Sequence, residues 1–362
     1  METKLLVIKA EDGVFSKEEE EELQLAGDIL RQGGLVAFPT ETVYGLGGNA
    51  LNPDSSRKIY AAKGRPSDNP LIVHICRFED IYSIVKEVSA EAEKIAKAFW
   101  PGPLTMILPK ADKVPYETTG GLETVAVRFP SHAIAQRLIA YGGGYIAAPS
   151  ANTSGKPSPT VAKYVIEDME GRIDAIIDGG EVGIGLESTI IDLTVTPPQI
   201  LRPGFITHEM LARVLGSVEE DVTILSADSG QAPKAPGMKY RHYAPKGELT
   251  IVEGTPESVV AYINKCVAKD RQKGESTGVI ATRENADAYH ADSVKIVGSR
   301  QDEDSIAKHL YTFLREFDDE KITKIYSESF AADGFGQAIM NRLLKAAGHR
   351  VVRPDEEEEI RL

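Results

Sequence analysis

Through the first 205 residues the apolar side chains come in short runs, LVAFPT, LIVHI, LTMIL, TVAVRF, GYIAAPS and TIIDLT, joined by connections rich in glycine and proline. Runs of this length cross a sheet once and are too short for a buried helix, and the Gly and Pro residues between them punctuate turns. Two longer segments, over 19–31 and 89–99, carry apolar residues at helical spacing. Strands do not alternate regularly with long helices. The pattern therefore predicts one α/β domain with a mixed, twisted sheet rather than a doubly wound parallel one. Functional side chains should sit at strand ends and in the connecting loops.

Residues 216–247 break the pattern. The stretch SADSGQAPKAPGMKYRHYAPKG is dense in Pro, Gly, Ala and Ser and has no apolar period, which is the composition of a linker. Beyond it ELTIVEG, TGVIAT, VKIVGS and KITKIYSE alternate with helical segments over 258–269, 305–317 and 336–347. The expected organisation is a first domain over 1–215, a linker or lid over 216–247 and a smaller Rossmann-like α/β domain over 248–362. That second domain has no G-x-G-x-x-G after a strand and no P-loop, so its topology alone does not make a nucleotide site. The acidic tail PDEEEEIRL is expected to fray.

With 362 residues, 42% hydrophobic and 27% charged, the chain has an ordinary soluble composition and can bury the cores of two domains. No run approaches the roughly 20 apolar residues of a membrane span, and the start METKLLVIKAEDG lacks the pattern of a signal peptide. A cytoplasmic protein without a membrane partner is expected. Cys76 and Cys266 lie far apart with no CxxC, which argues against a disulfide framework and structural zinc and suggests two buried small hydrophobes. No metal site built from protein ligands is expected. The net charge is −14 and neither half is basic, which argues against tight nonspecific nucleic-acid binding.

Polar groups concentrate in a few loops. Lys63-Gly64-Arg65-Pro66 offers two cations that an extended segment would point the same way, with Gly64 admitting a polyanion closely. Ser150-Ala151-Asn152-Thr153-Ser154, continuing to Ser158, adds hydroxyl and amide groups suited to phosphate oxygens. PTETVYGLG places Thr40 and Tyr44 in one turn, read equally well as a substrate loop or a helix-capping turn. His74 lies among Ile72, Val73 and Ile75, where a satisfied core histidine is the commoner outcome. Arg128 ends an alternating strand and suits either a ligand carboxylate or an internal ion pair with one of the domain's acids. Glu187-Ser188-Thr189 and Leu201-Arg202-Pro203-Gly204 read as further loops, and Arg241-His242-Tyr243 as a lid or an anchor for the linker. No Ser-His-Asp order, nucleophile elbow or HExxH occurs.

In this order PTETVYGLG, KGRPSDNPLIVH, WPGPLT, VAVRFPSH, PSANTSG, STIIDL and LRPG resemble the YrdC-like family of L-threonylcarbamoyladenylate synthases, over about residues 15–205. APGMKYRHYAP and the α/β domain after it resemble the long, two-domain members. The resemblance implies a YrdC-like mixed twisted sheet with a concave cavity. It implies the conversion of L-threonine, bicarbonate and ATP, with magnesium, into threonylcarbamoyl-AMP and pyrophosphate. The product would pass to a separate tRNA threonylcarbamoyl-transferase complex for modification beside the anticodon, so no stable tRNA binding by this chain is expected.

By the same resemblance Thr40, His74, Arg128 and Ser188 would hold threonine. Lys63, Arg65, Asn69, Thr124, Ser150, Asn152, Ser158, Arg202 and Tyr243 would line the ATP site, with Lys63 and Arg65 compensating charge during the reaction. Tyr44 and His242 are cavity or lid candidates. The chemistry fits the absence of a nucleophile motif: a carbamate attacks the α-phosphorus, and the protein supplies positioning and charge compensation. The alternatives are an RNA-binding module of the same fold and carbamoyl transfer to another acceptor.

Overall fold

The computed structural model describes residues 2–10, 13–221 and 243–354. Met1–Ser154 with Ser158–Tyr240 form one unit, and Gly155–Pro157 with Arg241–Leu362 form the other.

In the first unit eleven strands make one sheet. They are β1 (Lys4–Val7), β2 (Val36–Phe38), β3 (Gly45–Asn49), β4 (Ile72–His74), β5 (Leu104–Pro109), β6 (Thr124–Arg128), β7 (Ile146–Ala147), β8 (Ala175–Asp178), β9 (Thr189–Asp192), β10 (Gln199–Arg202) and β11 (Glu219–Glu220). Their spatial order is β1-β8-β2-β3-β7-β4-β6-β5-β9-β10-β11. Pairs such as β4 with β6 are parallel and pairs such as β5 with β6 antiparallel, so the sheet is mixed, as the short runs predict.

Side-chain alternation gives the sheet two different faces. Along β2, Val36 and Phe38 enter one apolar cluster and Ala37 the other; along β8, Ala175 and Ile177 part from Ile176 in the same way. The first cluster is covered by α1 (Lys17–Arg31) and α5 (Ala133–Tyr141), through Leu23, Leu30, Leu138 and Ile139. The second is covered by α2 (Pro53–Lys63), α3 (Ala90–Phe99), α6 (Ala162–Met169) and α7 (His208–Leu215), with α4 (Tyr116–Thr119) a single turn between β5 and β6. Local sequence sets these helices. Ser16 and Glu19 form a reciprocal capping box at the start of α1, and Asn52 caps α2 just before Pro53.

Over β4, β6, β5, β9 and β10, the face opposite the larger cluster holds only a small apolar group, Ile72, Ile107, Ala126, Ile190 and Leu201. Polar side chains occupy the rest of it.

The second unit carries β12 (Glu248–Val252), β13 (Thr277–Thr282), β14 (Ser293–Gly298), β15 (Lys324–Glu328) and β16 (Val351–Val352), in the order β14-β13-β15-β12-β16. All pairings are parallel, with helices α8 (Pro256–Gln272), α9 (Glu303–Asp319) and α10 (Gly334–Ala346) between strands, the Rossmann-like alternation expected.

Three expectations need correction. Strand β11 falls inside the stretch read as linker, because Glu219 and Glu220 pair with Gln199 and Ile200 despite a sequence with no strand period. Cys76 and Cys266 are half-buried rather than core residues. Lys63 does not start an extended segment: it closes α2, and Gly64 ends the helix at φ 63°, a left-handed cap that favours glycine. Most of the expected lid and the acidic tail lie outside the described residues. Among the described residues no helix is long and apolar enough to cross a membrane.

Candidate functional site

Strand register assembles one end of the site. His74 lies two residues beyond Ile72, Arg128 two beyond Ala126, Thr105 two before Ile107 and Ser188 two before Ile190, so all four share the face of the small apolar group. His74 is level with Arg128 on β4 and β6, Arg128 with Thr105 on β5, and Leu104 with Thr189 on β9. The result is a row, His74, Arg128, Thr105 and Ser188, across neighbouring strands about 4.8 Å apart. Thr105 Oγ1 and Ser188 Oγ lie 2.8 Å apart. Arg202, at the end of β10, closes the row by donating from Nε to Ser188 O at 3.0 Å and from Nη2 to Ser188 Oγ at 3.1 Å. The chain can turn back tightly after Arg202 only because Gly204 lacks a side chain, since a Cβ there would stand 2.5 Å from Thr189 N.

Electrostatics at this end are unusual. Arg128 and Glu41 form an ion pair at 2.9 Å with side chains only 5% and 13% exposed. Yet Arg128 Nε and Nη2 and both Glu41 oxygens are buried without a hydrogen-bond partner, as is His132 Nδ1. Burial and the neighbouring Arg128 push His74 down to about 3, so its imidazole is neutral near pH 7, with Nδ1–H donated to Ile72 O at 3.0 Å. Burial likewise lowers His132 against the opposing pull of Glu41. Thr40 sits beside this pair in a loop tied by its own hydroxyl, which lies 2.7 Å from Val43 O and 2.9 Å from Thr42 Oγ1.

The other end belongs to the cations of the first unit. Lys63, buried at the end of α2, donates to Ser150 O and to Asn152 O, and Ser154 N donates to Lys63 O at 2.9 Å. The two loops that the sequence separates by some ninety residues are thus joined by one ammonium, with Ser150 Oγ donating to Asn152 Oδ1 at 2.5 Å. Arg65 Nη2 donates to Asn69 O at 3.2 Å and Pro70 O at 3.0 Å. Asn69 is 1% exposed, and neither its amide nitrogen nor its amide oxygen has a partner. Because Ile72 is level with Ala126, Thr124 stands near Pro70, at the Asn69 edge of the sheet rather than the Arg128 edge.

Three further expected residues make contacts of their own. Ser158 is fully buried and donates to Glu187 Oε1 at 2.6 Å. Tyr44 is fully buried, donates to Gly180 O at 2.6 Å and accepts from Gly179 N at 3.2 Å, which braces that turn. Tyr243 belongs to the second unit, where it adopts φ 65° and stacks on Tyr311 at 5.1 Å. His242 lies outside the described residues.

Residues 28–204 match a protein family described as telomere recombination, and residues 206–348 one described as the C-terminal domain of threonylcarbamoyl-AMP synthase. The threonylcarbamoyl-AMP synthase of Pyrococcus abyssi (strain GE5 / Orsay) is 49% identical over 92% of this chain and 96% of its own length. The chain belongs to the threonylcarbamoyl-AMP synthase family. The family member from Bacillus subtilis (strain 168) is 50% identical over 91% of this chain and 93% of its own. Among solved structures, P. abyssi Sua5 complexed with L-threonine matches with a TM-score of 0.91 at 46% identity, covering 97% of this chain and 99% of that one. The two-domain synthase-type resemblance and the mixed α/β fold expected from the motifs are therefore correct.

Three groups of this candidate site were not singled out from sequence: Glu41, Thr105 and His132. Glu41 stands inside PTETVYGLG, and the sequence signal was an acid in a polar turn together with a strand-end arginine in need of an anion. Thr105 and His132 carry no such signal, because only register and packing bring them to Ser188 and Glu41.

Proposed function

We propose that this chain makes threonylcarbamoyl-AMP and pyrophosphate from L-threonine, bicarbonate and ATP, for the modification of tRNA. The observation that carries the reading is the burial of the site's cations, Lys63, Arg128 and Arg202, each no more than 5% exposed. A small anion can reach such groups and a rigid RNA backbone cannot, which favours the synthase over an RNA-binding module. The relative solved with L-threonine supports threonine as the amine.

In this reading threonine lies along the row of His74, Arg128 and Ser188 near Thr40, with its carboxylate on Arg128. The nucleotide phosphates lie toward Lys63, Arg65, Asn69, Ser150 and Asn152. Threonine's ammonium releases a proton to solvent, the free amine and bicarbonate form a carbamate with loss of water, and a carbamate oxygen attacks the α-phosphorus as the bond to the leaving pyrophosphate breaks. Neutral His74 adds no charge beside Arg128, and Arg202, fixed on Ser188, closes the far end of the row. Among the described residues no group of three His, Cys, Asp or Glu is placed to hold a metal. Magnesium is read as part of a Mg–ATP substrate, because it is commonly bound through substrate phosphates and one or two carboxylates. Transfer of the product to a tRNA threonylcarbamoyl-transferase complex in the cytoplasm completes the proposal.

The test is pyrophosphate release from Mg–ATP by the purified chain, with and without L-threonine and bicarbonate. Release should require both. Release indifferent to threonine would point to another carbamoyl acceptor, and no release would refute the synthase reading.

A further inference from the structure

The Arg128–Glu41 pair does not have the anatomy of a structural salt bridge. Two ions removed from water are normally stabilised by further hydrogen bonds to their remaining donors and acceptors. Here the charges approach to 2.9 Å, but Nε and Nη2 of Arg128 and both oxygens of Glu41 remain without a hydrogen bond. The Nε–Nη2 edge is one of the guanidinium edges that can bind a carboxylate in two places. Glu41 is held near it by its main chain, since its carbonyl accepts from Ile184 N at 2.9 Å and the adjoining Thr40 hydroxyl ties the loop.

An α-amino acid at neutral pH carries a carboxylate and an ammonium on the same carbon. A buried cation and anion side by side, each with unfilled hydrogen-bonding capacity, complement that arrangement head to tail. We propose that Arg128 and Glu41 together form a receptor for the substrate zwitterion, in which Glu41 receives the α-ammonium while Arg128 takes the α-carboxylate. The proposal rests on the reading that threonine binds at this face, and it assigns Glu41 as a substrate-contacting residue that selects amino acids over simple hydroxy acids. The substrate fills the hydrogen bonds that the free pair lacks, so threonine binds without displacing Glu41.

The test compares L-threonine with 3-hydroxybutyrate of matching configuration, which is threonine without its amine, by calorimetric titration of the full chain. The wild type should prefer threonine by about ten- to a hundredfold, the range of one hydrogen bond between charged groups. Glu41→Gln should lose that preference, because threonine weakens while 3-hydroxybutyrate holds or tightens once no neighbouring anion repels its carboxylate. Glu41→Asp should keep the preference for threonine. Equal weakening of both ligands in Glu41→Gln would reduce Glu41 to a shaping role in its loop, and tightening of both would make it a plug that the ligand carboxylate displaces. Either result overturns the proposal. If the glutamine variant fails to fold, the wild type still decides: equal binding of the two ligands refutes the zwitterion receptor alone, whereas binding of neither refutes the threonine site itself.

Discussion

Replacing Lys63 by methionine separates its structural work from its chemical work. The ammonium is 3% exposed and donates to Ser150 O and Asn152 O, the latter at 2.5 Å. Loss of these donors leaves two buried carbonyls unserved at about 1–3 kcal/mol each. Against this, methionine preserves the packed stem and removes an ammonium whose burial itself costs several kcal/mol. The two terms nearly offset, so the net loss of stability should be about 0–2 kcal/mol. Catalysis has no such compensation. Removing one preorganised positive donor from developing phosphate charge typically lowers kcat by about 10²–10³. Pyrophosphate release by Lys63→Met should fall in that range, while the urea midpoint moves little and circular dichroism is unchanged. Retention of more than about a tenth of the wild-type rate, or a rate loss that simply follows the fraction unfolded, would refute the placement of Lys63 at the nucleotide phosphates.

Asn69→Leu removes two buried, unpartnered polar atoms at nearly constant volume, so the ligand-free protein should gain about 1–3 kcal/mol while the thermal shift produced by Mg–ATP shrinks; an unchanged shift would place Asn69 outside the nucleotide site. His74 is depressed to about 3 by burial and Arg128, so the folded state binds fewer protons than the unfolded state between about pH 3 and 6.5 and stability is lost as the pH falls through that window. The wild type should therefore lose up to about 1.4 kcal/mol per pH unit below 6.5 relative to His74→Asn, measured by urea unfolding, and parallel curves would show that His74 is not buried neutral. Ser158→Ala strips Glu187 of a donor at 2.6 Å and should cost about 1–3 kcal/mol of stability with little change in the KM for ATP; a raised KM with stability intact would return Ser158 to the nucleotide site.

What the sequence determined by itself was mainly local or ordered along the chain. Short apolar runs between Gly and Pro dictated short strands, helical spacing located α1 and α8 to within a few residues, and the ordered motifs identified the family. What it could not determine depends on partners distant in the chain. Lys63 looked like half of an extended cationic pair because Gly64 is equally at home in a strand loop, yet the glycine ends a helix and the ammonium bridges to Ser150 and Asn152. Tyr44 and Ser158 sit in polar loops whose sequence names no partner, and the fold supplies Gly180 and Glu187 as those partners. Arg128 left a ligand carboxylate and an internal acid equally open, and the fold supplies Glu41 as that acid while leaving the hydrogen bonds of both ions unfilled. Period-two alternation fixes which face each strand residue takes. Only strand order and register, set by packing of the whole sheet, decide that His74, Arg128, Thr105 and Ser188 stand in one row.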